Sequence, residues 1–261
     1  MSDQSVAIVT GGASGIGLGI ASTLIAEDYD VFVLDNDLQH VDEYNASHPL
    51  SRARVCDVSD ASAVVTEIDG VFHVAGRIDL LVNNAGTSGP MAPVEAVDPS
   101  EWQKTLDVGL TGAFNVARSV APIMKSQGSG AIINIASNAG LMGCPNQSPY
   151  VAAKWGLIGL TKTWAMELGP HKVRVNALCP ASVEGERIEA VMARDAEERG
   201  VSVGDIRQSY ERQSSLQSFT RVEDIASMVC YLASDAGVRI SGQAIGLDGH
   251  TETLGNSLGE I

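Results

Sequence analysis

The chain has 261 residues, 44 % of them hydrophobic, which suits one large α/β domain or at most two small ones. Its formal net charge of −15 argues against nucleic acid and anionic membrane surfaces as partners, since both would repel it. The chain begins Met1-Ser2-Asp3 with no leader-like segment and holds no apolar run long enough to span a bilayer, so a cytoplasmic protein is expected. Cys56, Cys144, Cys179 and Cys230 show neither disulfide nor metal-ligand spacing. No metal is expected.

Residues 5–10 are a short β-rich run that ends in glycines. A periodic helical stretch follows over about 15–28, and residues 31–35 form the next strand. Strand, glycine turn, helix and strand make a βαβ unit. The turn carries Gly11, Gly15 and Gly17, with Ser14 and Ile16 between them. Glycines there permit a tight turn and let a pyrophosphate approach the backbone at a helix N-terminus. Asp35 ends the second strand about 20 residues on, where a dinucleotide fold places an acidic group for the adenosine ribose. A carboxylate there repels a 2′-phosphate, and neither Ser14 nor Asn36 supplies a compensating positive charge. The expected cofactor is NAD rather than NADP.

Residues 52–56 read as a weak third strand followed by Asp57 and Val58. A helix is predicted over about 61–75, then a strand at 78–82 leading into Asn83, Asn84, Ala85 and Gly86. One long helix is predicted over about 100–127. A fifth strand covers 130–136, with Ser137 at its end, and a sixth covers 172–178.

Between these strands lies the stretch that carries the chemistry. Ser148 is expected to cap a helix running to about Leu168, with Pro149 at its first position. Tyr150 and Lys154 then share one face, one turn apart. A free tyrosine titrates near ~10 and is a poor base at neutral pH. A nearby ammonium and the positive end of a helix favour its phenolate. That pair can exchange a proton during alcohol–carbonyl interconversion.

From about 181 to 219 the chain is charged and helix-prone with no predicted strand, which reads as a lid over a substrate pocket. Arg187 and Arg194 lie on one helix face there and could clamp an anionic substrate group. The alternative is surface pairing with neighbouring glutamates such as Glu184, Glu186 and Glu189. A helix over 222–234 and a strand at 244–247 complete the chain. Strands alternate with helices throughout, which predicts one α/β domain over 1–261 built on a doubly wound parallel sheet.

In family order, Thr10, Gly11, Gly15, Gly17, Asp57, Asn83 to Gly86, Ser137, Tyr150, Lys154, Asn176 and Pro180 resemble the short-chain dehydrogenase/reductase family across nearly the whole chain. The resemblance implies a Rossmann-type sheet of about seven strands with helices on both faces, and hydride transfer between an alcohol and a carbonyl. It implies Tyr150 as general acid/base, Lys154 as its partner and a ligand of the nicotinamide ribose, and Ser137 as a hydrogen-bond donor to the reacting oxygen. Asp57 and Val58 would meet the adenine. Asn83, Ala85 and Gly86 would line the adenosine and phosphate side, and Pro180 and Val183 would lie near the nicotinamide.

Two positions depart from the family pattern. Gly109 stands where the family usually has an asparagine that marks a helix break. Ala181 and Gly185 stand where it often has glycine and threonine. The expected substrate is a small polar secondary alcohol: a hydroxy acid, a polyol or sugar, or a cyclic alcohol. A carrier-bound acyl chain fits poorly with so acidic a protein. Apolar residues on the helices at 100–127 and 148–168, among them Trp155, Ile158, Trp164 and Leu168, predict a homodimer or homotetramer. Two other classes compete: an NAD-binding regulator without catalysis, motivated by Gly109, and a sugar-nucleotide epimerase, for which the chain is short.

Overall fold

Seven short strands pair into a single sheet, all parallel: β1 (Val6–Thr10), β2 (Asp30–Asp35), β3 (Arg52–Val55), β4 (Leu80–Asn83), β5 (Gly130–Ile135), β6 (Val173–Pro180) and β7 (Ala244–Leu247). The computed structural model describes residues 4–48 and 52–251; the ends of the expected 1–261 domain lie outside them. The strand order is β3-β2-β1-β4-β5-β6-β7. The order reverses between β1 and β4, and that switch opens a crevice at the strands' carboxyl ends.

The inner strands read as mainly apolar runs because both faces are covered there. In β1, Ala7 and Val9 face one core cluster and Val6 and Ile8 face the other. The first cluster takes Ile20 and Leu24 of α1 (Gly15–Ala26), Val41 and Tyr44 of α2 (Leu38–Ser47) and Ile225 of α9 (Val222–Ala233). The second takes Ile68 of α3 (Ala61–Ala75), Val116 of α5 (Gly112–Gln127) and Trp164 of α6 (Ser148–Leu168).

Four sequence expectations need correction. Helix α2 was not foreseen; its signal is the N-cap Asp37, whose carboxylate accepts the His40 N–H at 3.1 Å. The helix expected at 100–127 is interrupted: α4 (Pro99–Leu106) and α5 flank a π turn at Asp107–Thr111. There the Gly112 N–H bonds the Asp107 carbonyl five residues back. Gly109 lies buried inside this turn. Ser148 is the first helical residue of α6, not its cap; Gln147 holds that place without a side-chain bond. Ile158, Trp164 and Leu168 are buried within the protomer, so the apolar surplus on α6 is smaller than expected. Trp155 and Phe114 of α5 stay half exposed, and Met166 is largely exposed.

The segment after β6 forms α7 (Glu186–Arg199) and α8 (Val203–Glu211), which close on their own small core of Met192, Ala196, Ile206 and Phe219. As expected it holds no strand among the described residues; a single isolated bridge ties its two ends together. Val183 pairs with Thr220, and the Glu184 N–H bonds the Thr220 carbonyl at 2.9 Å. That pairing anchors the base of the two-helix unit beside the end of β6. Among the described residues no helix is long and apolar enough to cross a membrane.

Candidate active site

The turn after β1 and the turn after β4 are locked together. The Thr10 hydroxyl accepts the N–H groups of Asn84 and Ala85 at 3.0 and 3.1 Å. The Asn84 amide returns two bonds, to the carbonyls of Thr10 and Gly11 at 3.1 and 2.9 Å. Gly11 has φ of +58°, and a methyl built on Gly17 would stand 2.0 Å from the Gly11 carbonyl oxygen. Only glycine allows that approach of helix to turn. Gly15, also at positive φ, is exposed with nothing within 4 Å of the place a Cβ would occupy. Ser14 is the N-cap of α1 but its hydroxyl makes no capping bond. Ile16 follows in the first turn, packed against the core. An open backbone beside unsatisfied helix N–H groups fits a pyrophosphate.

Asp35 is only 7 % exposed. One carboxylate oxygen accepts the Ala13 N–H at 3.1 Å and the other the Asp37 N–H at 3.2 Å. The charge is thereby fixed at the end of β2, beside the glycine turn. Asp57 and Val58 follow β3. Asp57 accepts the N–H and hydroxyl of Ser59 at 2.9 and 2.7 Å. Asn115 of α5 donates to the Val58 carbonyl at 3.0 Å. A Cβ on Gly112 would come within 2.5 Å of Val58 Cγ2, so the π turn is wedged against this loop.

At the end of β5 three residues gather. Lys154 is 5 % exposed, and its Nζ donates to the Ile135 carbonyl at 2.8 Å. The same Nζ lies 5.6 Å from the centre of the Tyr150 ring. A methyl on Gly86 would sit 3.7 Å from it, which brings the turn after β4 to the same point. Ser137 stands two residues beyond Ile135 in extended conformation. Its Oγ accepts the Ala139 N–H and donates to Asn138 Oδ1, both at 3.2 Å. Burial pushes the Lys154 ammonium below the usual lysine range; Tyr150 pulls the other way, and the Arg187 charge adds to the depression. Cys179, buried at the end of β6, has its thiol pushed up to about 11, mainly by burial, and stays neutral here.

Asn83, expected at the cofactor, is joined here by Asn134 and Thr161, which the sequence does not single out. Asn83 is buried and donates to Asn134 Oδ1 at 2.9 Å; Asn134 donates to Thr161 Oγ1 at 2.8 Å. The chain of bonds ties β4 and β5 to α6 two turns beyond Lys154. Among the described residues Asn83 Oδ1 has no partner. The one sequence signal was an asparagine in each of two apolar strands. Pro180 is buried at the end of β6, and Val183 is partly buried in its pairing with Thr220. Arg187 is exposed on the first turn of α7, whereas Arg194, two turns on, places Nη2 3.5 Å from Met91 Sδ.

Comparison with known proteins agrees with this geometry. The short chain dehydrogenase family pattern matches residues 5–196. A 3-oxoacyl-(acyl-carrier-protein) reductase of Thermotoga maritima is 34 % identical, over 95 % of this chain and 97 % of its own. An NAD+-bound xylitol dehydrogenase superposes with a TM-score of 0.89 at 30 % identity, covering 94 % of this chain and 98 % of that one. An actinorhodin polyketide ketoreductase with NADPH superposes at 0.90 with 31 % identity, covering 97 % and 98 %.

Proposed function

The chain belongs to the short-chain dehydrogenase family, and on that premise we propose that this oxidoreductase interconverts a secondary alcohol and a ketone on a small polar substrate with NAD. The observation that carries the reading is the position of Lys154: a buried ammonium, bonded to the Ile135 carbonyl and facing the Tyr150 ring, beside the strand end that presents Ser137. Holding a charge in so poorly solvated a place is costly, and perturbed groups of this kind cluster at functional sites.

The bound nicotinamide would take up or deliver the hydride. The chain's own groups handle the proton. Ser137 Oγ–H is suited to hold the reacting oxygen, where charge develops. Tyr150 Oη takes the hydroxyl proton in oxidation and returns it in reduction. The Lys154 ammonium stands 5.6 Å from the centre of the Tyr150 ring, within reach of the proton-exchanging end of the site. Gly11, Ser14, Gly15, Ile16 and Gly17 would cradle the pyrophosphate, and Asp35 the adenosine ribose. Asp57, Val58, Asn83, Ala85, Gly86, Pro180 and Val183 would line the rest of the cofactor. The fixed Asp35 carboxylate underlies the choice of NAD over NADP. The α7–α8 unit serves as a lid, and Trp155 with Phe114 marks a face for a second copy, in a cytoplasmic homodimer or homotetramer.

Reduction of a carrier-bound acyl group is the second reading, favoured by the Thermotoga relative. The net charge of −15 disfavours docking of an acidic carrier. The deciding experiment screens alcohols, hydroxy acids and polyols with NAD and NADP, with Tyr150→Phe as control. NADH formation that falls by about 10²-fold or more in Tyr150→Phe is expected. Turnover by Tyr150→Phe equal to the parent's would remove the basis of the proposal.

A further inference from the structure

The residue on the α7–α8 unit that stands out is Arg187. It lies in the first turn of α7, two residues after Gly185, which itself adopts φ of +141° with open space around it. The guanidinium is exposed and, among the described residues, makes no hydrogen bond or ion pair. The obvious partner by sequence is Glu184, but that carboxylate is engaged by Arg207 at 3.2 Å, from α8. Glu186 and Glu189 are exposed on α7 and do not bridge to Arg187 either. None of the five acidic residues of α7 stands three or four positions from Arg187, so the helix itself offers the guanidinium no neighbour.

The direction it faces follows from its neighbour. Arg194 is seven residues on, hence on nearly the same face of α7. Its Nη2 reaches Met91, in the loop that follows β4. So this face of α7 looks across the crevice at the strands' carboxyl ends. Arg187 is at the end of the helix nearest β6. Consistent with that placement, its charge is felt by the buried Lys154 ammonium. Two cations therefore share one crevice: one buried and committed to Ile135 and Tyr150, the other exposed and free.

We infer that Arg187 binds an anionic group of the substrate, so that the alcohol oxidised at Tyr150 also carries a carboxylate or a group of like charge. The inference rests on the dehydrogenase reading and names its substrate class. A guanidinium offers two parallel N–H donors to a carboxylate, which fixes orientation as well as charge. With the anion held at the α7 end and the hydroxyl at Ser137 and Tyr150, one face of the carbinol carbon is presented. A bound anion would also relieve the repulsion between Arg187 and Lys154.

The test compares charge at constant shape. Short hydroxy acids such as lactate, 3-hydroxybutyrate and 4-hydroxyvalerate are assayed beside their methyl esters, in the parent, Arg187→Ala and Arg187→Lys. In parallel, calorimetry measures butyrate binding to the NAD-loaded proteins, which needs no turnover. The parent is expected to prefer acid to ester. Arg187→Ala should raise KM for the acid about 10- to 100-fold, leave the ester unaffected and weaken butyrate to match; Arg187→Lys should recover part of both. Among the described residues Arg187 makes no structural bond, so the variants should fold. Equal acid and ester turnover, or butyrate binding unchanged in Arg187→Ala, would overturn the inference. Neutral alcohols oxidised in a Tyr150-dependent, Arg187-independent manner would overturn it and leave the dehydrogenase standing. Arg187-dependent butyrate binding without any Tyr150-dependent turnover would do the reverse.

Discussion

Replacing Asp35 by asparagine separates two jobs that one side chain performs. The carboxylate accepts the Ala13 N–H with one oxygen and the Asp37 N–H with the other. An asparagine has a single acceptor oxygen, so one of those N–H groups would face an NH2 donor instead. A buried donor left unpaired costs about 1–3 kcal/mol, and that cost falls on the glycine turn. The second job is charge. A 2′-phosphate set against the carboxylate at roughly 4 Å, in an effective dielectric of about 20, is opposed by about 4 kcal/mol per unit charge. That is nearly 10³ in binding. The parent should therefore favour NAD over NADP by about 10² or more. Asp35→Asn should bind NAD about 10-fold more weakly, while its NADP affinity rises or holds, so the ratio collapses by at least about 10-fold. Fluorescence titration with NADH and NADPH measures both affinities, and kcat/KM with each cofactor checks them under turnover. A ratio unchanged in Asp35→Asn, or a parent that prefers NADP, would refute the reasoning.

Gly17→Ala should abolish cofactor binding without unfolding the sheet, because its methyl would stand 2.0 Å from the Gly11 carbonyl oxygen and must push the turn open; a Gly17→Ala protein with parental NADH affinity would contradict the turn geometry. Lys154→Met gives a pH test. Burial holds the native Lys154 pKa below its ordinary 10.5, so the unfolded chain binds this proton more tightly. The penalty is therefore full below the native pKa and disappears as pH rises past 10.5. Relative to Lys154→Met, the parent should gain stability on going from pH 7 towards 10, by at most about 1.4 kcal/mol per pH unit. Thermal melts of both proteins across that range decide it, and a gap that moves in the variant's favour would show that the ammonium carries no such penalty.

The inner strands were readable because both faces of the sheet are covered there, which writes them as mainly apolar runs such as residues 6–9, whereas edge strand β3, with Arg52 and Arg54, reads weakly. Helix α2 escaped because only Val41 and Tyr44 of its ten residues are buried; its capping aspartate carried more signal than its periodicity. The π turn inserts one residue into a helix without changing composition, so residues 100–127 read as continuous. Ser137, Tyr150 and Lys154 were legible as residue types, but the partner that fixes Lys154 is a backbone carbonyl, which no side-chain pattern encodes. Arg187 shows the same limit from the other direction. Local sequence offers it Glu184, yet that carboxylate turns to Arg207, 23 residues away.

The buried polar side chains explain why the site keeps its shape. Thr10, Asp35, Asn83, Asn134 and Ser137 all lie within one residue of, or just past, the carboxyl ends of their strands, beyond mainly apolar stretches. Asn83 and Asn134 are register partners, so their side chains share a face and meet. Among the described residues Asn83 Oδ1 has no hydrogen-bond partner, so the pair adds only modestly to stability. What the polar chain adds is position. Adjacent residues of β5, Asn134 and Ile135, hold Thr161 and Lys154, which are two turns apart on α6. A shift of α6 by one residue along the sheet would break both bonds at once and leave a buried amide and a buried ammonium unpaired. Two contacts separated by about 10 Å of helix fix both its rotation and its slide. Tyr150, at the start of the same helix, is thereby delivered to the end of β5 by interactions that never touch it.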